Sequence, residues 1–309
     1  MAAVLGAVSG HDTDESGRTG AVRRPPATAP VRGLRLGPVT ADLDQAPVVM
    51  GILNRTVDSF YDRGAHFARD AFLRQAQRLV DDGADILDVG ARSAAVGTRD
   101  VSAQEEIELA ASSVVELRRR FDVPVSVDTW RAAVAAEAFA CGAVIGNDVS
   151  GFADPGYLPA AAAAGASVVA THIRLAPQVP DPDPVYDDVV GDVTRALRGL
   201  VRRAMEAGLG RNQVVVDPGL DLGKTWQQSV ALLAAVPQLW SLGQPILVAP
   251  SNKIFLGRLL GLERDERGIA TTAACTVALL DGADVVRVHD ARVGRQVADL
   301  VAAVRAARR

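Results

Sequence analysis

The amino-acid sequence predicts an α/β fold, a single (β/α)8 TIM barrel over residues 33–309 behind a disordered leader over 1–32. Eight short runs rich in Val and Ile recur at 48–53, 85–89, 123–127, 143–146, 167–171, 213–216, 245–249 and 284–288. Continuous apolar runs of that length read as strands covered on both faces, as in a parallel sheet. Longer amphipathic stretches alternate with them, and eight such units fit the size and order of a closed barrel. Four helices stop at a Gly followed at once by Ala and a strand, in "GADILD", "GAVIGN", "GASVVA" and "GADVVR". Gly suits that stop because it takes φ > 0 without steric cost. A doubly wound open sheet is the structural rival, weakened because no GxGxxG follows any run.

The leader is rich in Ala, Gly, Arg, Pro, Ser and Thr, and its "RRPPATAP" cannot hold a helix because prolines lack the backbone donor. "MAAVLGAVSG" has no positive flank and meets "HDTDES" before a full apolar region develops, so it reads as non-secretory. Beyond the second strand, Ser102 and Glu105 carry a capping-box signature, and Ile107, Ala110, Val114, Leu117 and Phe121 then form an apolar stripe at helical spacing. With 309 residues, 49% of them apolar, the chain can bury a large core. Its net charge of -4, without a basic run, gives no footprint for nucleic acid or an anionic membrane surface. No apolar run approaches the roughly 18 residues of a spanning helix. Cys141 and Cys275 lack C-x-x-C or histidine partners, so neither a disulfide framework nor a zinc site is indicated, and a reducing cytoplasm suits them.

A barrel places its site at the C-terminal ends of the strands. Those tips are polar: Asn54, Asp88, Asp128, Asn147 with Asp148, His172, Asp217, the trio Ser251, Asn252 and Lys253, and Arg287 with His289. Each has an ordinary explanation. Asp128 and Thr129 can cap the helix that follows, Asn147 and Asp148 can make an Asx-turn, Asp217 before Pro218 can shape a turn, and Lys253 can be a solvated charge. Independent turn residues need not converge on one rim, however. Carboxylates beside an amide suit a flat heterocycle with adjacent N–H donors and a carbonyl. Lys253, Arg287 and His289 on strands seven and eight point to an anionic group beside it. No Ser/His/Asp or Cys/His signature for a protein nucleophile is present.

At "MGILNRTVDSFYDRG", "GADILDVGARS", "VPVSVDT", "GNDVSG", "VVVDPGLDLGKT", "ILVAPSNK" and "VVRVHD" the chain resembles the dihydropteroate synthase family, in order and spacing, from about residue 36 to the C-terminus. The resemblance implies a barrel, often dimeric, that joins 6-hydroxymethyl-dihydropterin pyrophosphate to p-aminobenzoate in folate synthesis. It implies for Asn54 the first-loop asparagine that helps hold Mg2+ on the pyrophosphate. For Asp128, Asn147, Asp217 and Lys253 it implies pterin contacts, and for Arg287 and His289 an anion-binding pair. In that reaction a metal and fixed cations stabilise the departing pyrophosphate, and the resemblance implies that Asp128 supports the cationic pterin left behind.

The second loop departs from the family pattern. It usually resembles "GGESTRPG", whose Thr and Arg close over the aniline and pyrophosphate; here it reads "GARSAAVG". Ala94 and Ala95 stand at the Thr and Arg positions, Arg92 replaces an acid and Val96 replaces Pro. Asn252 in "SNK" takes the place of an Arg, Leu220 and Leu222 offer no ring, and Arg55 and Val57 sit where a small apolar residue and Pro are usual. Losing one placed electrostatic donor costs about 10²–10³ in rate. The changes resemble a second, synthase-like paralogue in actinobacteria that is regarded as lacking ordinary activity. The expectation is therefore a pterin-binding barrel that is inactive or very weak as a synthase, as a homodimer or paired with the active paralogue. The alternatives are a competent transferase, with p-aminobenzoate or another amine and Arg55 or Arg92 compensating, a non-catalytic partner or pterin sensor, and a pterin-dependent methyltransferase.

Overall fold

The computed structural model describes residues 30–55, 65–92, 94, 97 and 101–308, with the backbone alone at 65–68. The expected leader therefore lies, up to residue 29, outside the described residues. The chain opens with a hairpin, β1 (Gly33–Leu36) against β2 (Val39–Asp42). Eight parallel strands follow: β3 (Val48–Asn54), β4 (Ile86–Gly90), β5 (Val125–Asp128), β6 (Ile145–Asp148), β7 (Ser167–Thr171), β8 (Val214–Asp217), β9 (Leu247–Val248) and β10 (Val285–Val288). Their order is sequential from β3 to β8, with β10 pairing β3 and β9 pairing β10. A bridge between Val216 and Ile246 joins β8 to the chain entering β9 and closes the barrel.

The helices are α1 (Ala65–Asp81), α2 (Ala103–Arg120), α3 (Ala132–Ala140), α4 (Tyr157–Ala164), α5 (Val189–Glu206), α6 (Trp226–Ala234), α7 (Val236–Leu239), α8 (Ile254–Leu260), α9 (Gly268–Leu280) and α10 (Ala291–Ala307). Ser102 accepts the Glu105 N–H at the start of α2. The predicted stops Gly83, Gly142, Gly165 and Gly282 all adopt positive φ.

Side chains alternate across each strand with a period of two, so one set faces the lumen and the other the helices. Val49, Leu53, Leu87, Val89, Val127, Val168, Val214, Val216, Val248, Val286 and Val288 pack outward against the helices. Inward, Met50, Ile86, Ile145, Val169, Val215, Leu247 and Val285 fill the lower lumen, and Leu34, Leu36 and Leu43 close it from below. That hairpin plug was not legible as a separate element, because "GLRLGPVTAD" is too short to show a period. The next inward positions above this apolar layer include Asp88, Ser126, Asn147, Thr171, Asp217 and Arg287, with Ile52 beside Asp88. The strands run one residue past several apolar runs, since polar tips such as Asn54, Asp128 and Asp217 still pair in the ladder.

Candidate functional site at the barrel mouth

The strand tips bring together most of the residues the sequence singles out. Arg287 on β10 reaches across the lumen: its Nε donates to Asp88 Oδ2 and its Nη2 to Asp128 Oδ2, each at 2.6 Å. Asn147 Nδ2 donates to the same Asp88 oxygen at 3.0 Å. Tips of β4, β5, β6 and β10 thus form one network, placed by the register that sets Gly90 beside Asp128 and Asp128 beside Asn147. The Asn54 amide belongs to the same corner: a Cβ on Gly90 would lie 3.5 Å from Asn54 Oδ1 and 3.8 Å from Asp128 Oδ2. Asn54 is exposed to solvent there.

One guanidinium faces two carboxylates in a poorly solvated place, so both cannot ionise cheaply. Burial pushes Asp128 up to about 7 against the pull of Arg287, with Asp88, Asp148 and Glu106 adding to the rise. Burial opposes the charge of Arg287, but Asp88 and Asp128 overcome it and hold the group protonated above its ordinary range. The anion-binding role that the resemblance gives Arg287 thus begins from a fork seated on two carboxylates. Buried Asp88 Oδ1 and Ser126 Oγ, on paired positions of β4 and β5, have no hydrogen-bond partner among the described residues.

A second group lies around β8. Asp217 Oδ1 accepts the Gly219 N–H at 2.7 Å, and burial raises its pKa. Gly219 has φ +67, and a Cβ there would fall 1.9 Å from the His172 carbonyl oxygen, so only glycine lets the loop pass. Lys253 donates to the Leu220 carbonyl at 3.0 Å, its pKa lowered by burial although Asp221 and Asp217 favour the charge. His289 meets Ser251 Oγ through Nδ1 at 2.9 Å, and burial, then Arg287, Arg264 and Lys253, push it down to about 4. It is therefore a neutral donor or acceptor near pH 7, and the cationic member of the expected anion-binding pair is Arg287 alone.

Some tips serve the scaffold. Asp148 accepts the Ser150 and Phe152 N–H groups at 2.6 and 3.1 Å, an Asx-type turn. The helix after β5 is capped by Asp154, which accepts the Ala132 N–H at 2.8 Å, so Asp128 is left free of that duty. Thr129 donates to the buried Glu106 at 2.5 Å and also accepts the N–H of Arg131, at the start of that helix, at 3.3 Å. Asn252 sits at φ +55 beyond β9. Arg55 points outward: it donates to Ser113 Oγ of α2 at 2.8 Å and lies 4.9 Å over the Phe72 ring of α1. It therefore offers no charge to the mouth. Val57 and Ala95 lie outside the described residues.

Two participants were missed by sequence reasoning. Asp88 was noted as a tip but not given a role, although the inward series Ile86, Asp88, Gly90 was there to be read. Lys224 is buried, and its Nζ meets His172 Nδ1 at 3.0 Å and donates to the carbonyls of Gly219 and Leu222, both at 2.9 Å. Its signal was the lysine closing "GLDLGK".

Residues 50–289 match the family model described as "Pterin binding enzyme". The chain is 38% identical over 266 residues to a dihydropteroate synthase of Synechocystis sp., covering 85% of this chain and 92% of that protein. It is 39% identical over 277 residues to "Inactive dihydropteroate synthase 2" of Mycobacterium leprae, covering 88% and 94%. The crystal structure of Yersinia pestis dihydropteroate synthase in a sulfonamide drug complex superposes with a TM-score of 0.82 at 37% identity, over 89% of this chain and 99% of that one. The chain belongs to the dihydropteroate synthase family of pterin-binding enzymes. Its relatives include both synthases and proteins named as inactive.

Proposed function

We propose that this protein binds a pterin on the floor formed by Asp128, Asn147, Asp217 and Lys253 and condenses it with p-aminobenzoate very weakly or not at all. The observation that carries the reading is the contrast between that floor and the loop after β4. On the floor, two carboxylates and an amide converge from three strands, with the Lys253 ammonium beyond β9; in the loop, Ala94 contributes only a backbone carbonyl, accepting the Gln178 N–H at 3.1 Å. The kinship with an inactive synthase supports the reading, and so does Ala95 at the position where the family pattern has Arg.

In the family reaction the aniline nitrogen bonds to the methylene carbon, the C–O bond breaks, pyrophosphate leaves with the electron pair, and the amine proton passes to solvent. Asp128 would stabilise the developing positive charge on the ring and Arg287 the negative charge on the leaving group. Among the described residues no cluster of three or more His, Cys, Asp or Glu could hold a metal. Asn54, exposed at the mouth, fits Mg2+ delivered on the pyrophosphate, because that ion keeps waters and substrate oxygens and needs few protein ligands. Bound there, it would neutralise charge on the leaving pyrophosphate.

Calorimetric titration of a pterin pyrophosphate and of p-aminobenzoate, separately, tests the two halves. Pterin binding without measurable p-aminobenzoate binding or steady turnover is expected; turnover at a working synthase's rate overturns the reading. A second reading is a transferase for another amine, favoured by Arg92 at the mouth, for which pyrophosphate release that survives Arg92→Ala would count against a compensating role.

Helix α9 carries no charged residue and exposes Ile269, Val277 and Leu280 at helical spacing, which supports pairing with a second copy or a paralogue. Free Cys141 and Cys275 fit a cytoplasmic setting. Among the described residues, no helix is long and apolar enough to cross a membrane.

A further inference from the structure

The loops that follow β4 and β7 meet across the mouth. Arg92 Nη2 donates to Gln178 Oε1 at 2.7 Å, and the Gln178 N–H returns to the Ala94 carbonyl. The Arg92 guanidinium carbon lies 4.5 Å from the centroid of the Trp130 ring, two residues beyond Asp128. Strands β5 and β6 stand between β4 and β7 in the sheet. These contacts therefore pass above the tips that carry Asp128 and Asn147.

The far loop is pinned on its other side as well. Tyr186 donates to the Gly223 carbonyl at 2.9 Å, and Arg174 pairs with Asp181 against the same glycine. A loop held at both ends of its span cannot swing aside without breaking one attachment. Arg92 supplies the side-chain attachment on the β4 side, beside the backbone bond from Gln178 to Ala94, and its guanidinium both hydrogen-bonds to Gln178 and lies over an indole.

We propose that Arg92 and Gln178 form a clasp that roofs the ring-binding floor, narrowing the mouth to a flat ligand and slowing its release. The proposal rests on the pterin reading above. Arg92 is a specificity-determining residue here, not a catalytic one: it acts on the path by which a ring seated at Asp128 and Asn147 leaves.

The test follows release of 6-hydroxymethylpterin by stopped-flow fluorescence from the wild-type chain, Arg92→Ala, Gln178→Ala, the double variant and Gln178→Glu. Each alanine variant is expected to release about tenfold faster, as loss of a hydrogen bond to a charged group implies, and the double variant no faster than either single. Gln178→Glu turns a neutral acceptor into a charged one and should slow release, an effect that fades with added salt and that a merely structural role would not give. Release from both alanine variants within twofold of wild type overturns the clasp. If the wild type itself binds no pterin, the pterin reading fails, and amide exchange decides the clasp separately. The Gln178 N–H should exchange at least about tenfold faster in Arg92→Ala, whereas unchanged exchange would overturn it.

Discussion

The floor of the mouth and its rim are built on different principles. On the floor, Arg287 holds Asp88 and Asp128 from 199 and 159 residues away in sequence, yet each of the three side chains is aimed by the alternation of its own strand. On the rim, Arg92 meets Gln178 86 residues away through two loops, and nothing in either loop's local pattern fixes that partner. Strand-borne groups thus hold a site whose geometry resists change, while loop-borne groups can be exchanged without unfolding the barrel. Such a division would let a family member lose its rim chemistry and keep its floor.

The largest expected effect comes from the centre of the floor. Arg287→Met leaves Asp88 fully buried with Asn147 as its hydrogen-bond donor among the described residues, and removing one partner of a buried pair costs about 3–5 kcal/mol. Chemical denaturation should show a loss near the lower end of that range, because Arg287 keeps some exposure. Pterin affinity should fall at least about a hundredfold, since one such charge-assisted contact is worth about 1.5–3 kcal/mol and the carboxylates it orients are lost with it. A companion Asp88→Asn change should recover part of the stability.

Next is the pH dependence of binding. With Asp128 raised to about 7, the free protein holds its proton below that pH, and a ring that donates N–H groups must displace it. Affinity should therefore weaken up to about tenfold per unit below pH 7 and level off above it. Asp128→Asn should flatten the profile. Stability has the opposite sense. Between about pH 4 and 7 the folded state binds more protons at this carboxyl than the unfolded state, so stability falls as pH rises through that window. The stability difference between Asp128→Asn and wild type should grow across the same window and then remain constant.

The same contrast explains what was legible in the sequence. Eight runs of Val and Ile announce the barrel because both faces of each strand are buried, and the polar residue at each tip announces the mouth. Asp148 and Asp128 look alike as letters, however, and only the fold shows one spent on the Ser150 and Phe152 amides and the other facing Arg287. Arg55 beside Asn54 looked like a replacement for lost rim charge, but period two turns adjacent residues to opposite faces, and Arg55 goes to α1 and α2. The hairpin plug was hidden because its strands are too short to show a period, and the Asp154 cap and the Arg92 contact because each is made by residues distant in sequence.

That outward turn gives a prediction that separates structure from binding. Arg55→Met keeps the stem over Phe72 and loses the hydrogen bond to Ser113, so stability should fall by about 1–2 kcal/mol. Pterin affinity should be unchanged within error, and a tenfold change would mean that the outer layer feeds into the floor.

The smallest effect belongs to Asn252, where the resemblance leads one to expect Arg. Its φ of +55 lies in the left-handed region, which Asn tolerates better than most side chains and Gly tolerates best. The turn is fixed from both sides, since the Asn252 N–H donates to Thr271 Oγ1 at 3.1 Å and its carbonyl accepts from Arg267 at 3.1 Å. Because the backbone cannot relax, Asn252→Ala should cost about 1 kcal/mol and Asn252→Gly less, read as shifts in denaturation midpoint at constant slope. If instead Asn252→Ala is neutral and both changes alter pterin affinity, the side chain belongs to the floor, and the boundary between floor and rim must be drawn one residue further out.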